Sequence, residues 1–289
     1  MFISGFTFVR NAVRYDYPVI ESIRSLLPLV DELIVNLGNS DDTTEALIRS
    51  INDPKIKIIH SVWDDSLREG GRVLAVETDK AMDAVSEKAD WAIYIQADEV
   101  LHEKDYPAIR EAMLHYLNDK EIEGLLLNYL HFYGSYSYTG DSRRWYRNEI
   151  RIIRHDKSIR SFRDAQGFRK NGQKLKVAKV NASVYHYGWV KNPLKQLEKQ
   201  KNFHKLWHDD NWVKQKVDPQ KFDYSEIDSL REFKGTPPSV MQERIAAMDW
   251  DFRFDPTDKN LSLKDRSLQL FEKLTGYRLF EYKNYKKIR

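Results

Sequence analysis

The chain has 289 residues, a formal net charge of +3, 41% hydrophobic residues and no cysteine. This length suits one large α/β domain or two modest ones. Without cysteine there is no disulfide, no thiolate zinc site and no catalytic thiol. The 47 basic and 44 acidic residues nearly balance, which argues against a nucleic-acid partner. No stretch approaches the roughly 20 apolar residues of a membrane-spanning helix, and we expect a cytoplasmic protein.

Strand and helix patterns alternate from the start of the chain to about residue 130. Short apolar runs predict strands at 2–9, 32–37, 56–60, 91–95 and 124–130. Apolar residues at helical spacing predict helices at 18–27, 43–51, 73–85 and 106–117. This alternation predicts an α/β fold, with a mostly parallel sheet covered by helices on both faces. Ligands of such sheets bind at the carboxyl ends of the strands.

The pattern changes after residue 132. Residues 133–147 have the composition of a loop. Short strands are predicted at 149–154, 175–180 and 182–187, and helices at 194–209 and 263–274. We therefore divide the chain into a domain at 1–190 and a helical C-terminal extension at 191–289.

Polar residues follow three of the predicted strands, and in a parallel sheet these strand ends converge on one edge. They are Arg10 and Asn11 at the first strand, Asn36, Gly38 and Asn39 at the second, and Gln96, Asp98 and Glu99 at the fourth. Glycine lets the backbone approach a ligand closely, and amides and side chains can hold a base or a ribose. We expect a nucleotide site at this edge. For the Gly38 turn, an alternative is that Ser40 or Asp41 caps the next helix.

An acidic segment follows the apolar strand at 91–95 abruptly. A carboxylate at the mouth of a parallel sheet suits Mg²⁺ or Mn²⁺, which prefer oxygen ligands. Such a cation neutralises a diphosphate leaving group. The alternative is a solvated loop in which Asp98 or Glu99 caps the next helix.

Together, the three strand-end motifs resemble family 2 glycosyltransferases, which have the GT-A type of Rossmann-like fold. The resemblance covers about the first 190 residues, with the motifs in the family's order and spacing. The family's acidic motif is usually Asp-x-Asp, and here Gln96 replaces the first acid. Its second turn usually opens with Asp, and here the residue is Asn36. The resemblance implies that the strand-end residues named above bind a nucleotide sugar and that Asp98 binds Mn²⁺ or Mg²⁺.

Two later segments, 162–169 and 184–189, resemble the acceptor side of a bacterial subgroup of this family. The resemblance implies that Asp164 is the catalytic base and that His186 approaches the metal and the diphosphate. An ionised carboxylate can take the proton of an acceptor hydroxyl as the oxygen attacks the anomeric carbon. A single base opposite the departing diphosphate implies one displacement with inversion.

Alternatives stay open for both residues. Asp164 can instead form an ion pair with Arg163 or Arg169, which flank it in sequence. His186 can instead be a hydrogen-bonded core histidine, the commoner role for a lone histidine in a strand-like run.

The sequence therefore predicts an inverting glycosyltransferase of the hexosyltransferase type, acting in polysaccharide biosynthesis. Its donor would be a UDP- or GDP-sugar and its acceptor a glycan or a lipid-linked sugar. A sugar-phosphate nucleotidyltransferase is one alternative, although that class predicts a glycine-rich basic loop where this chain has Arg10-Asn11-Ala12. A non-catalytic nucleotide- or glycan-binding relative is another, because Asn36 and Gln96 remove charge from the site.

Two basic and aromatic segments lie outside these motifs, at 142–147 and 282–289. The first is interpreted as a solvated loop, with an anion site as the alternative. The second is interpreted as a frayed terminus. Its alternative is contact with anionic lipid at the inner face of the membrane.

Overall fold

The computed structural model describes residues 1–67, 69–207, 211–212 and 222–289. Within them, eleven strands form one sheet and three form a smaller sheet. The strands are β1 (Ile3–Val9), β2 (Glu32–Gly38), β3 (Ile56–Ser61), β4 (Trp91–Tyr94), β5 (Glu99–Leu101), β6 (Gly124–Tyr133), β7 (Ser135–Gly140), β8 (Asn148–Arg154), β9 (Ile159–Phe162), β10 (Gly167–Lys170), β11 (Gln173–Lys174), β12 (Lys176–Trp189), β13 (Leu230–Glu232) and β14 (Lys286–Lys287). The α-helices are α1 (Val19–Leu26), α2 (Thr44–Arg49), α3 (Arg72–Asp83), α4 (Tyr106–His115), α5 (Pro193–Lys205), α6 (Gln242–Ala246) and α7 (Leu263–Thr275).

The first four strands, in the sheet order β3-β2-β1-β4, are all parallel. β1 and β2 are buried along almost their whole length, as is typical of parallel strands covered on both faces. Helices α1, α2 and α4 pack on one face through Ile23, Ile48 and Ile109. Helix α3 packs on the other face through Ala81 and Met82. The predicted fold class is confirmed: an α/β sheet of the GT-A, Rossmann-like type, followed by further helices.

Beyond β4, the sheet continues as β8-β6-β7-β13, each strand antiparallel to the next. The long strand β12 pairs with β6 in parallel and with β5 antiparallel. This pairing puts His186 in register with Glu99 on β5 and with His131 on β6. The acidic segment after β4 is thereby joined to the histidine predicted to lie near it.

Several segments predicted to be loops contain strands. The sequence pattern predicts no strand at β5, at β7 or in the small sheet β11-β10-β9, because runs of two to six residues with mixed polarity carry little periodic signal. The strands predicted at 175–180 and 182–187 are one strand, β12, with an irregularity between Lys179 and Ser183. The helix predicted at 194–209 is described as far as Lys205, and residues 208–210 lie outside the described residues.

The turn after β2 is tied to the turn after β1. Ser40 Oγ accepts a hydrogen bond from the backbone amide of Asn11 at 3.0 Å. Asp42 Oδ1 accepts one from the Thr44 amide at 2.9 Å at the start of α2. The capping of α2 by Ser40 or Asp41 is therefore wrong, and Asp42 accepts the hydrogen bond of one amide at this helix end.

The C-terminal region adds to the main sheet. β13 pairs with β7, and β14 pairs with the start of β12, so the tail at 282–289 is docked and not frayed. Arg143 and Arg147, in the loop predicted to be solvated, pair with Glu272 of α7 at 2.9 and 2.8 Å. Among the described residues, no helix combines the length and apolar character needed to cross a bilayer.

Candidate active site

A cavity of about 270 Å³ lies at the carboxyl ends of β1 and β4. The turn between β9 and β10, the end of β12 and helix α5 complete its walls. The predicted site residues that line it are Arg10, Gln96, Asp98, Asp164 and His186. The predicted site residues that do not line it are Asn11, Asn36, Gly38, Asn39 and Glu99.

Asp98 follows β4 and is 9% exposed. Its Oδ2 accepts a hydrogen bond from Lys199 Nζ at 3.1 Å and lies 3.7 Å from His186 Nε2. Its carbonyl accepts a hydrogen bond from the Tyr187 amide at 2.8 Å, which ties the loop to β12. Burial acts to raise the pKa of Asp98, but the positive charge of Lys199 and its neighbours holds this pKa well below the usual range. Asp98 is therefore a fixed negative charge.

Two lysines from the region after β12 lie near Asp98. Lys199 of α5 also donates to the Gly188 carbonyl at 2.9 Å, and its ammonium lies 4.9 Å from the centre of the Tyr17 ring. Lys191 donates to two carbonyls of the loop after β1 at 2.9 and 3.0 Å. Burial lowers the pKa of Lys191 well below its usual value. The two lysines thus join α5 and the end of β12 to the loop after β1 and to Asp98.

Gly188 permits the close packing of this cluster. A Cβ at this position would lie 2.7 Å from Asp98 Oδ2 and 2.5 Å from His186 Nε2. Burial lowers the pKa of His186, although the carboxylates of Asp98 and Glu99 act to raise it, so the imidazole is neutral near pH 7. Among the described residues its buried Nδ1 has no hydrogen-bond partner. His186 is therefore not a core histidine with both ring nitrogens hydrogen-bonded.

Glu99 lies in β5 with no exposed surface. Arg151 of β8 donates to its Oε2 and Oε1 at 2.7 and 2.5 Å, and the Tyr129 hydroxyl also donates to Oε1. The guanidinium carbon of Arg151 lies 5.2 and 5.4 Å from the ring centres of Tyr94 and Tyr129. The contact between Glu99 and a nucleotide sugar stays a prediction, and in the structure this carboxylate is enclosed and paired with Arg151. Its position in β5 also excludes the alternative of a solvated helix cap.

An aromatic platform lies at the end of β1. The ring centres of Trp63 and Phe8 are 5.8 Å apart, and the Arg10 guanidinium carbon lies 5.5 Å from the Trp63 ring centre. Arg10 is held by Asp65 at 2.8 Å. Gly38 leaves room for the indole, since a Cβ there would lie 2.3 Å from Trp63 Nε1. The platform offers a planar apolar surface for a base. Gly38 contributes indirectly, because it leaves room for the indole of Trp63.

The three asparagines predicted to bind nucleotide have partners within the protein. Asn11 Oδ1 accepts from a backbone amide of the turn after β2 at 2.8 Å. Asn36 has no exposed surface and donates to Glu77 Oε2 of α3 at 2.9 Å. Asn39 Oδ1 accepts from the Trp63 amide at 3.2 Å. Direct nucleotide contact by these residues stays a prediction, and in the structure they brace the turns around the cavity.

Asp164 lies in the turn between β9 and β10. Arg163 and Ala165 on either side have φ of +57° and +61°, left-handed conformations that reverse the chain. The Arg163 guanidinium lies 5.2 Å from the Phe162 ring centre, and Arg169 donates to backbone carbonyls. In the described part of the chain, neither arginine forms an ion pair with Asp164, so that alternative is wrong. Burial raises the pKa of Asp164, which brings it closer to the value suited to a base.

The cluster around Asp98 offers a divalent cation a single carboxylate that is already paired with an ammonium. In the described residues, no group of three or more histidine and carboxylate side chains is placed to hold a metal ion. Gln96 brings only a neutral amide, whose Nε2 lies 3.2 Å from the Tyr94 hydroxyl. The Asp98 carboxylate already pairs with Lys199. Mg²⁺ and Mn²⁺ prefer several oxygen ligands, and an adjacent ammonium repels them.

Sequence reasoning missed Lys199, Lys191 and Trp63. The buried face of α5 consists mainly of polar residues, namely Gln196, Leu197, Lys199 and Gln200. A polar stripe at helical spacing is ordinarily the solvated face of a helix. One signal in the sequence could have revealed these residues. No face of this helix is clearly apolar, which is unusual for a helix that packs against a sheet.

Neither a protein-family model nor a curated protein matches the chain. Solved structures do. The structure of S. aureus TarS 1–349 in complex with UDP aligns with a TM-score of 0.39 and 11% identity, over 70% of this chain and 64% of that one. Glucosyl-3-phosphoglycerate synthase from Mycobacterium tuberculosis, in complex with Mn²⁺, UDP and phosphoglyceric acid, aligns at 0.29 and 24%, over 46% and 43%.

A nucleotidyltransferase also matches: 4-diphosphocytidyl-2C-methyl-D-erythritolsynthase from Anaerococcus prevotii, with a TM-score of 0.36, 12% identity and coverage of 71% of this chain and 94% of that one. Against the longer TarS structure, the aligned part spans 39% of that protein. TM-scores below 0.5 identify neither an activity nor a substrate. Function therefore has to be argued from the cavity.

Proposed function

We propose that this protein is a glycosyltransferase that moves a sugar from a UDP- or GDP-sugar to an acceptor hydroxyl. The proposal rests on three features that line one cavity. The aromatic platform at Trp63 suits a base, and the charged cluster at Asp98 and Lys199 suits a diphosphate. The separate carboxylate of Asp164 suits an acceptor hydroxyl.

The donor half of the site consists of side chains that are held by other parts of the protein. The base stacks on Trp63, and a base–aromatic contact of this kind tolerates either uracil or guanine. The sugar diphosphate lies beside the cluster of Asp98, His186 and Lys199, where a protonated lysine can compensate phosphate charge. Gln96 supplies an amide at the same edge. This arrangement fixes the donor before the acceptor reacts.

The acceptor half centres on Asp164. As the acceptor oxygen bonds to the anomeric carbon, its proton passes to the Asp164 carboxylate. The bond between the anomeric carbon and the diphosphate oxygen breaks, and its electron pair leaves with the diphosphate. One displacement inverts the anomeric configuration. Trp189 and Phe203 also line the cavity, and aromatic faces pack well against the apolar face of a sugar ring.

The finer assignments rest on the sequence resemblance. They are a hexose donor, a glycan or lipid-linked sugar acceptor, and a role in cytoplasmic polysaccharide biosynthesis. The acceptor class is expected to depend on the residues around Asp164 and Trp189, because these line the part of the cavity away from Trp63 and its neighbours.

The proposal is tested with a panel of UDP- and GDP-sugars and a measurement of nucleotide release. We expect release from at least one donor, strong loss of release in Asp164→Asn, and normal release in Asp251→Asn, an exposed aspartate outside the cavity. Binding of nucleotides without turnover of any donor would support the non-catalytic alternative. Pyrophosphate release from a nucleoside triphosphate and a sugar phosphate would support the nucleotidyltransferase alternative.

A further inference from the structure

We infer that the ammonium group of Lys199 takes the place of a divalent cation at the diphosphate, so that sugar transfer by this protein needs no metal. The inference rests on the proposed glycosyl transfer and adds the agent that neutralises the leaving group. Its starting observation is the ion pair between Lys199 Nζ and Asp98 Oδ2 at 3.1 Å. Asp98 is the one carboxylate that the sequence offered as a metal ligand.

The charges around Asp98 are already balanced by protein groups. Lys199 and Lys191 both contribute positive potential at Asp98. Besides Asp98, the cluster contains one more residue of a type that binds metals, the histidine His186. Gln96 is neutral, so it adds no second negative charge to attract a cation. A divalent cation bound to Asp98 would have to displace the ammonium or lie beside it. A cation beside the ammonium is repelled at such short range, and displacement of the ammonium would break its hydrogen bonds to Asp98 and to the Gly188 carbonyl.

The position of Lys199 is fixed, and part of its ammonium remains available. An ammonium has three N–H donors. One is directed to Asp98 Oδ2 and one to the Gly188 carbonyl at 2.9 Å. The side chain lines the cavity and is 11% exposed. Within the described residues, the third donor has no hydrogen-bond partner and can point to a ligand in the cavity.

This geometry divides the roles of the two residues. Lys199 donates a charge-assisted hydrogen bond to the diphosphate and stabilises the negative charge that grows there as the bond to the sugar breaks. Lys199 takes no part in the proton transfer, because the proton of the acceptor goes to Asp164. Asp98 is a positioning residue, because it orients the ammonium without touching the reacting atoms.

The test compares the affinity for UDP and GDP, by calorimetry, in EDTA and in Mn²⁺. We expect equal affinity of the wild type in both buffers. Lys199→Met should bind about 10- to 100-fold more weakly in EDTA, the usual effect of losing a hydrogen bond to a charged group. Mn²⁺ should restore part of this binding, because Asp98 and His186 are then free of the ammonium.

Two matched variants act as controls. Lys195→Met makes the same change one turn earlier on α5, at an exposed lysine that donates to the Arg14 carbonyl, and should bind like the wild type. Lys199→Arg keeps a cation and should bind in EDTA more tightly than Lys199→Met. If Lys199→Met fails to fold, the comparison of wild-type affinity in EDTA and in Mn²⁺ still tests whether a metal is needed.

The outcomes separate this inference from the proposed function. If the wild type binds nucleotide only with Mn²⁺, the inference is overturned and the glycosyltransferase proposal stands. If Lys199→Met is folded and binds as tightly as the wild type in EDTA, the inference is likewise overturned. If no nucleotide or nucleotide sugar binds in either buffer, the proposed function fails and the inference fails with it.

Discussion

Two aspartates line the same cavity in opposite electrostatic settings. Asp98 lies against Lys199, and its pKa is held low although the side chain is buried. Asp164 forms no ion pair within the described residues, and burial raises its pKa. The difference shows that neighbouring lysines, and not burial alone, decide which carboxylate stays charged and which can accept a proton.

The two carboxylates also differ in their support. Asp98 follows a central strand of the main sheet and is joined to β12 by the amide of Tyr187. Beside it lies the enclosed pair of Glu99 and Arg151. Asp164 lies in a short turn of the three-stranded sheet. The side that we propose for the donor is thus built into the core, whereas the side that we propose for the acceptor is built on a hairpin that can vary with less effect on stability.

The strongest test of this division is Asp164→Asn, which preserves the size of the side chain and removes the proton acceptor. We expect the turnover number for sugar transfer to fall about 10²- to 10⁴-fold, the usual contribution of a general base. The dissociation constant for the donor should stay near the wild-type value. Both are measured by steady-state nucleotide release and calorimetry. A variant that loses donor affinity in the same proportion as turnover would show that Asp164 belongs to the donor side.

The support beneath Asp98 is tested by Arg151→Met, which leaves the Glu99 carboxylate buried without its cation. We expect the free energy of unfolding, measured in urea, to fall by about 3–5 kcal/mol. The double variant Arg151→Met with Glu99→Gln should recover part of this loss, because no uncompensated charge then remains. Equal stability of the single and double variants would contradict a role for the buried charge.

The sequence predicts the donor side better than the acceptor side. The strands of the parallel half, and the carboxyl-end edge on which Asp98 lies, follow from apolar runs that alternate with helices. Asp164 was found through resemblance alone, because the strands that hold it are only four residues long. Lys199 was missed because a contact across 101 residues leaves no local pattern. The partners of Asn36 and Glu99 inside the protein could not be predicted, since a polar residue at a strand end has the same sequence pattern whether it faces a ligand or another part of the protein.

The aromatic platform is tested by Trp63→Ala, with Val62→Ala as a control at the neighbouring exposed side chain. Loss of the stacking surface should weaken donor binding by about 1–3 kcal/mol. The turnover number at saturating donor should change little, because the proposed function has Trp63 contact a part of the donor that does not react. A lower turnover number with unchanged donor affinity would place Trp63 at the reacting centre. It would contradict the proposed division of the cavity into a donor part and an acceptor part.

The two aspartates should also differ in the pH dependence of the steps that they serve. Because the pKa of Asp164 is raised, this carboxyl is protonated at a higher pH than an ordinary aspartate. A protonated base cannot accept the proton of the acceptor. Turnover should therefore fall about tenfold for each pH unit below that pKa and level off above it. The profile is measured at saturating donor between about pH 4 and pH 8.

The Michaelis constant for the donor should stay flat over the same range, because the pKa of Asp98 is lowered and its carboxylate stays ionised. Asp164→Asn is the matched control, and its residual turnover should lose the acidic limb. A profile in which turnover is flat and the Michaelis constant rises at low pH would reverse the assignment. The titrating carboxylate would then be on the donor side, and the lysines beside Asp98 would not control its charge.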